Sequence, residues 1–203
     1  KHTHWYGPDA RITEIGRQQA IKMSYTFKQW LESTGIQICG VAISPSSRTL
    51  EYADILLPVI GCDAPVFIEP LIREKVKTGC VSNVGLSRDR LKEKIDEEGW
   101  LKGFQIDFSK AEDDWIHGEE TNAAFDERIQ KARKRYLGEA LPEKTVILAI
   151  SHWLYGNLFL ERPDCIHNCE FIFCSNNGGR IETKSILSPV STASGNPQFN
   201  LQL

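Results

Sequence analysis

The sequence predicts an α/β fold: a three-layer sandwich with a mostly parallel sheet and helices on both faces. Two observations carry this prediction. Apolar strand-like runs alternate along the chain with helical stripes, the pattern of βα units that build a parallel sheet. Two of those runs, Ile36 to Ile43 and Thr145 to Ile150, are continuous and β-branched, as strands covered on both faces are. At 203 residues the chain has the length of one domain. Residues 1–203 are therefore read as a single unit, with an irregular excursion at about 75–120 and a loose tail at about 188–203. A chain of this size buries about 70% of its unfolded surface and can hold a core without disulfide or metal staples.

The elements follow in order. Thr13 is an N-cap with Glu14 in the first turn of a helix whose stripe is Ala20, Met23, Phe27 and Leu31, and Gly35 stops it. The strand from Ile36 to Ile43 comes next, with Cys39 read as a buried thiol. Ser46 and Ser47 are placed to cap a helix carrying Leu50, Ala53, Ile55 and Leu57, ended by Pro58. A brief strand covers Val66 to Ile68. The excursion holds a charged helix, Ser87 to Ile95, with Leu91 and Ile95 as its core face, and its aromatics Trp100, Phe104, Phe108 and Trp115 are expected to point inward. A helix from about Asn122 presents Phe125, Ile129, Ala132 and Tyr136. Thr145 to Ile150 then runs straight into Ser151-His152, where a further helix begins that ends by Pro163. Glu170 to Cys174 and Arg180 to Ile186 read as two late strands about the turn Asn176-Asn177-Gly178-Gly179.

Composition removes several function classes. Lys and Arg total 24 against 27 Asp and Glu, which lacks the positive footprint of a nucleic-acid binder. No run approaches 18 apolar residues, so no membrane span is expected. Six cysteines fall short of a disulfide scaffold. Cys165, His167, Cys169 and Cys174 lack the spacing of paired metal knuckles, so no metal site is assigned. The absence of an N-x-[ST] sequon and of a signal-peptide core points to a cytoplasmic protein. The opening Lys1-His2-Thr3-His4, with no strand before it, leaves room for a removed leader. No feature fixes an oligomeric state.

In a parallel sheet the chemistry gathers beyond the carboxyl ends of the strands. Three segments stand after strands or strand-like positions: Lys1-His2, Ser44-Pro45-Ser46-Ser47-Arg48 and Ser151-His152. Glu74 follows the short strand and the turn at Pro70. Two imidazoles, an arginine, a lysine and a carboxylate on one rim suit phosphoryl transfer, which needs positioning and charge neutralisation above all. Histidine can be the nucleophile near neutral pH.

Five segments also fall in the order of one family's motifs. Lys1-His2-Thr3 stands for its Arg-His-Gly, and Asp9 to Ala20 for its Asp-x-x-Leu-Thr-x-x-Gly-x-x-Gln-Ala. Ser44 to Ala53 matches Ser-Pro-x-x-Arg-x-x-x-x-Ala, Leu71 to Glu74 its acid segment, and Ser151-His152-Trp153 its second Ser-His-Gly. These segments resemble the histidine phosphatase superfamily, in its phosphoglycerate-mutase-like branch. The resemblance implies that His2 attacks phosphorus and becomes phosphohistidine. Arg48 and His152 would clamp the phosphoryl oxygens, with Lys1 where the family has arginine. Glu74 would protonate the leaving oxygen and then activate water. It implies no cofactor and no metal, because cationic side chains do the neutralising.

The departures are informative. Lysine for arginine at position 1 replaces a planar fork by a point charge. Thr3 and Trp153 stand where both signature tripeptides have glycine, and the stretch from His2 to Thr13 is short for the family. His4, Trp5, Tyr6 and Trp153 flank the two histidines and are candidates to line the substrate pocket. The expected function is a phosphohydrolase acting on an organic, apolar or aromatic, small-molecule phosphate through a phosphohistidine. The alternative is the same fold recruited for acid/base chemistry without phosphate, such as cyclisation, dehydration or isomerisation. A mutase fits less well, since the sequence identifies no additional cationic contacts, and a catalytically dead scaffold fits poorly with His2, Arg48, Glu74 and His152 together.

Overall fold

The computed structural model describes residues 8–77, 79–111, 119–138, 140–161, 169–177, 180–190 and 198–201. Helix α1 (Glu14–Thr34) begins at Thr13, whose hydroxyl accepts from the Gly16 N–H, and stops at Gly35 in the left-handed region at φ 67°. Strands β1 (Gln37–Ile43), β2 (Val66–Ile68), β3 (Ile106–Asp107) and β4 (Thr145–Ile150) form a parallel sheet in the order β3-β2-β1-β4. Helices α2 (Ser47–Ile60), α3 (Arg88–Glu98), α4 (Asn122–Leu137) and α5 (Trp153–Phe159) connect and cover it.

The period of two in β1 and β2 sorts the core into two layers. Val41, Ile43, Val66 and Ile68 face one side, packing with Met23, Phe27 and Trp30 of α1, Leu50, Leu56 and Leu57 of α2, and Leu91 and Ile95 of α3. Ala42 and Phe67 face the other, packing with Phe125, Ile129 and Ala132 of α4 and Tyr155 of α5. Helices therefore cover both faces, as the unbroken apolar runs predict. Trp100 is buried, and Phe104 and Phe108 pack against the first layer, so these excursion aromatics point inward; Trp115 lies outside the described residues.

Four sequence expectations need correction. Helix α2 does not end at Pro58 but runs on to Ile60 and stops at Gly61, φ 64°. A proline in the last turn removes a single helical bond, so the stop falls to the residue that adopts the left-handed turn. Cys39 is exposed: it is the extra residue at a register shift between Ile38 and Gly40, and its thiol lies 3.3 Å from the Val146 carbonyl rather than in the core. Two residues of the excursion, Ile106–Asp107, pair with β2 and extend the sheet. The tail is not wholly loose: β6 (Arg180–Val190) runs past Ser188, pairing with β5 (Phe171–Asn177) and with β7 (Gln198–Leu201) in an antiparallel sheet. Phe171 stacks on Phe27 of α1.

The strand order places the site. The chain steps outward from β1 to β2 and β3, then returns to the other side of β1 for β4. The crevice beyond the carboxyl ends of β1 and β4 is thus the topological switch point, where open α/β sheets bind ligands.

Candidate active site

Ile43 and Ile150, the last residues of β1 and β4, are register partners. The chain leaves them as Ser44 and Ser151-His152, side by side: the Ser44 N–H donates to the Ile150 carbonyl at 3.0 Å. His152 is the N-cap residue of α5, with extended backbone and no capping bond from its side chain. Its ring turns instead to β1. Nε2 lies 2.7 Å from Ser44 Oγ, and Nδ1 receives the Arg48 Nε–H at 3.1 Å. A guanidinium can only donate, so Nδ1 is unprotonated and Nε2 carries the hydrogen that Ser44 accepts. The imidazole is neutral. Burial, then the positive charges of Arg48 and Arg128, hold its pKa well below the usual histidine value. The buried Ser44 keeps its own hydroxyl hydrogen for another acceptor.

Arg48 stands in the first turn of α2. Beyond His152, its two terminal nitrogens donate to the Ser82 carbonyl at 2.9 Å and to Asn83 Oδ1 at 3.0 Å. Three of its five N–H groups are thereby committed and the fork is fixed in orientation. Burial lowers its pKa, while Glu74 and Asp9 act the other way.

Ser46 does not cap α2 as its position suggests; its hydroxyl pairs with Thr49 Oγ1 at 2.8 Å. The cap is supplied from far along the chain by Asp9. Its carboxylate accepts from the Ser47 N–H at 2.7 Å, the Ser47 hydroxyl at 2.5 Å and Lys94 Nζ at 3.2 Å. A carboxylate also suits the positive end of the helix. Asp9 adopts a left-handed backbone at φ 52°, a conformation aspartate tolerates better than most residues.

Glu74 follows a 3-10 turn at Pro70–Ile72. Oε1 accepts from the Lys75 N–H at 2.8 Å and Oε2 from the Leu154 N–H at 3.2 Å, so the carboxylate bridges to the start of α5. Asp9, Ser44, Arg48, Arg73, Glu74, Ser82, Asn83 and His152 are among the residues that wall one small cavity at the switch point.

The family model described as histidine phosphatase superfamily (branch 1) matches residues 2–162. The chain belongs to that superfamily. No curated protein matches it. Among solved structures it is similar to the ecdysone phosphate phosphatase of Bombix mori, in complex with tungstate, at 19% identity and a TM-score of 0.49. That likeness covers 75% of this chain and 56% of the other, so the chain spans little more than half of that relative's length. It is also similar to a phosphoglycerate mutase from Plasmodium falciparum, at 15% identity and a TM-score of 0.47, covering 85% of this chain and 92% of that one.

Of the residues singled out by the superfamily motifs, the structure brings Arg48, Glu74 and His152 to one cavity. Lys1, His2, His4, Trp5 and Tyr6 lie outside the described residues, as do Cys165 and His167. Trp153 is 46% exposed at the start of α5 and does not line the cavity. Sequence reasoning missed Asp9 as the cap of α2, Ser44 as the partner of His152, Asn83 and Ser82 as the holders of Arg48, and Arg73 as a second guanidinium on the wall. Asp9 and Ser44 sit inside the matched superfamily segments, a signal that could have marked them. Asn83 and Lys94 belong to the excursion, which carries no motif. That excursion is therefore part of the site.

Proposed function

We propose that this chain is a phosphohydrolase that passes a phosphoryl group through His2. The observation that carries the reading is the convergence of Arg48, Ser44, neutral His152 and Glu74 on one cavity at the switch point of the sheet. Two Arg48 N–H groups without a partner among the described residues, the Ser44 hydroxyl hydrogen and a second guanidinium, Arg73, on the wall suit the oxygens of a phosphoryl group. Membership in the superfamily supports the same chemistry.

His2 precedes Asp9 by seven residues, and the Asp9 carboxylate lines the cavity. At about 3.3–3.6 Å per extended residue, that tether lets His2 reach any wall of it. An imidazole nitrogen of His2 attacks phosphorus as the ester P–O bond breaks, and Glu74 gives a proton to the departing oxygen. Water then attacks the phosphohistidine, its proton returns to Glu74, and phosphate leaves with His2 restored. Trp5 and Tyr6, close to His2 in the sequence, favour an apolar or aromatic organic group on the substrate.

The test is a panel of phosphomonoesters, aromatic and aliphatic, assayed with the wild-type chain and with His2→Ala. Release of phosphate that vanishes in His2→Ala is the expected result. Inertness toward every ester, with turnover of a phosphate-free hydrophobic substrate, would overturn the reading in favour of acid/base chemistry on the same fold.

A further inference from the structure

Arg48 is not the whole positive charge of the cavity. Arg73, immediately before Glu74, lines it too. Its carboxylate partner is Glu120, which it shares unequally. Arg73 gives Glu120 one bond at 3.1 Å, whereas Arg128 gives it two, at 2.9 and 2.7 Å. Arg128 spends its other terminal nitrogen on the carbonyls of Leu71 and Arg73, at 2.9 and 2.8 Å. Two guanidinia against one carboxylate leave the trio with a net positive charge. Among the described residues Arg73 commits one N–H, to Glu120, against four of Arg128, and its buried Nε has no hydrogen-bond partner. A buried N–H left unpaired loses its hydration for no return, so it persists where a ligand can complete it. Burial and the neighbouring Arg128 bring the Arg73 pKa down to about 10, against the pull of Glu120, so it is a cation at neutral pH.

We propose that Arg73 is an anion-binding residue of this site, donating from its guanidinium to an oxygen of the phosphoryl group beside Arg48. The proposal rests on the reading of the cavity as a phosphoryl site and names a contact that the superfamily motifs do not single out. Its ligand is a tetrahedral oxyanion, the phosphoryl group of the ester or the phosphate released from it. The planar fork gives two donors in fixed geometry where a lysine gives a point charge. A second arginine on the wall adds positive charge where the neutral His152 supplies none.

Calorimetric titration of inorganic phosphate into the wild-type chain, Arg73→Gln, Arg73→Lys and Glu120→Gln tests this. Arg73→Gln is expected to weaken phosphate about tenfold to a hundredfold, the loss of a charge-assisted bond, and Arg73→Lys to recover part of it. Glu120→Gln removes the competing carboxylate, so it is expected to lower the Tm yet keep or strengthen phosphate binding. A merely structural Arg73 would make Arg73→Gln and Glu120→Gln weaken binding together, in step with their Tm, and that result overturns the proposal. Equal affinities in the wild type and Arg73→Gln overturn it as well. A wild-type chain that binds no phosphate sinks the phosphohydrolase reading itself, and the Arg73 assignment with it. Should Glu120→Gln fail to fold, the comparison of Arg73→Lys with Arg73→Gln decides alone.

Discussion

Glu69 and Glu74 lie five residues apart beyond the end of β2, and the fold uses them in opposite ways. Glu69 is fully buried and saturated: Arg135 donates to both its oxygens, at 3.1 and 2.8 Å, the Tyr136 hydroxyl donates to one, and so does the Leu71 N–H. Those bonds tie the loop after β2 to α4, and the partly buried, carboxylate-bound Tyr136 has its pKa raised far above the ordinary phenol value. Glu74 has no side-chain hydrogen-bond partner among the described residues; two backbone N–H groups hold it against the cavity wall. A carboxylate whose lone pairs are claimed by an arginine and a phenol holds the structure together. One oriented by two backbone amides, on the wall of the cavity, is aimed at whatever binds there, as a general acid must be.

The largest effects test this contrast. Glu69→Gln should cost about 1–3 kcal/mol of stability, because the fully buried side chain keeps one acceptor oxygen of two and loses its charge toward Arg135 and Tyr136, while the cavity residues stay in place. Glu74→Gln should cost under about 1 kcal/mol but lower turnover by about 10²–10⁴, the usual worth of a general acid. Urea midpoints and phosphate release measured on both variants check the pair, and a Glu74→Gln chain that is unstable yet active would break it.

Asp9 sharpens the contrast, since it is saturated like Glu69 yet lines the cavity like Glu74. Asp9→Asn is expected to cost about 1–2 kcal/mol through the lost cap and the lost Lys94 pair. It should also lower kcat, since α2 carries Arg48. A stability loss with kcat unchanged would show that Asp9 holds the fold without placing Arg48.

His152 extends the comparison to pH. Its folded pKa lies below the unfolded value of about 6.5. As pH falls through that value the unfolded chain takes up a proton and the folded chain does not. The contribution of a neutral His152 is therefore intact above pH 6.5 and lost below it, at up to about 1.4 kcal/mol per pH unit until the folded pKa is reached. Urea midpoints at several pH values should fall less steeply in His152→Gln than in the wild type below pH 6.5, and parallel slopes would contradict the neutral state of His152. The smallest effect belongs to Trp153→Ala, within about 0.5 kcal/mol in stability because the indole is exposed. Because the indole stands outside the cavity, KM for aromatic relative to aliphatic phosphates is expected to stay unchanged.

How much of this was legible in the sequence depends on how local each signal is. Helix α1 and strand β4 were readable to within a residue or so, since their stripes, caps and β-branched runs are properties of neighbouring residues. Arg48, Glu74 and His152 could be marked because each follows a strand within a motif. Asp9 capping α2, Asn83 holding Arg48 and Arg73 sharing Glu120 are contacts 35 to 47 residues apart in the chain. Nothing in the local spacing encodes them. Cys39 misled because an apolar run says where a strand lies but not where its register shifts, and the two-residue β3 is too short for any period to show. The excursion read as an overlay because its function lies in two polar contacts, Ser82 and Asn83 on Arg48, rather than in its own pattern.

The account stands on a phosphoryl group passing through an imidazole at this cavity. The most direct measurement is an acid-free quench of the chain turning over a radiolabelled phosphomonoester, followed by peptide mapping. The expected result is label on the peptide containing His2, stable to base and released by acid, and absent from His2→Ala. Phosphate release at full rate with no label on the chain, or with label on another residue, would contradict it.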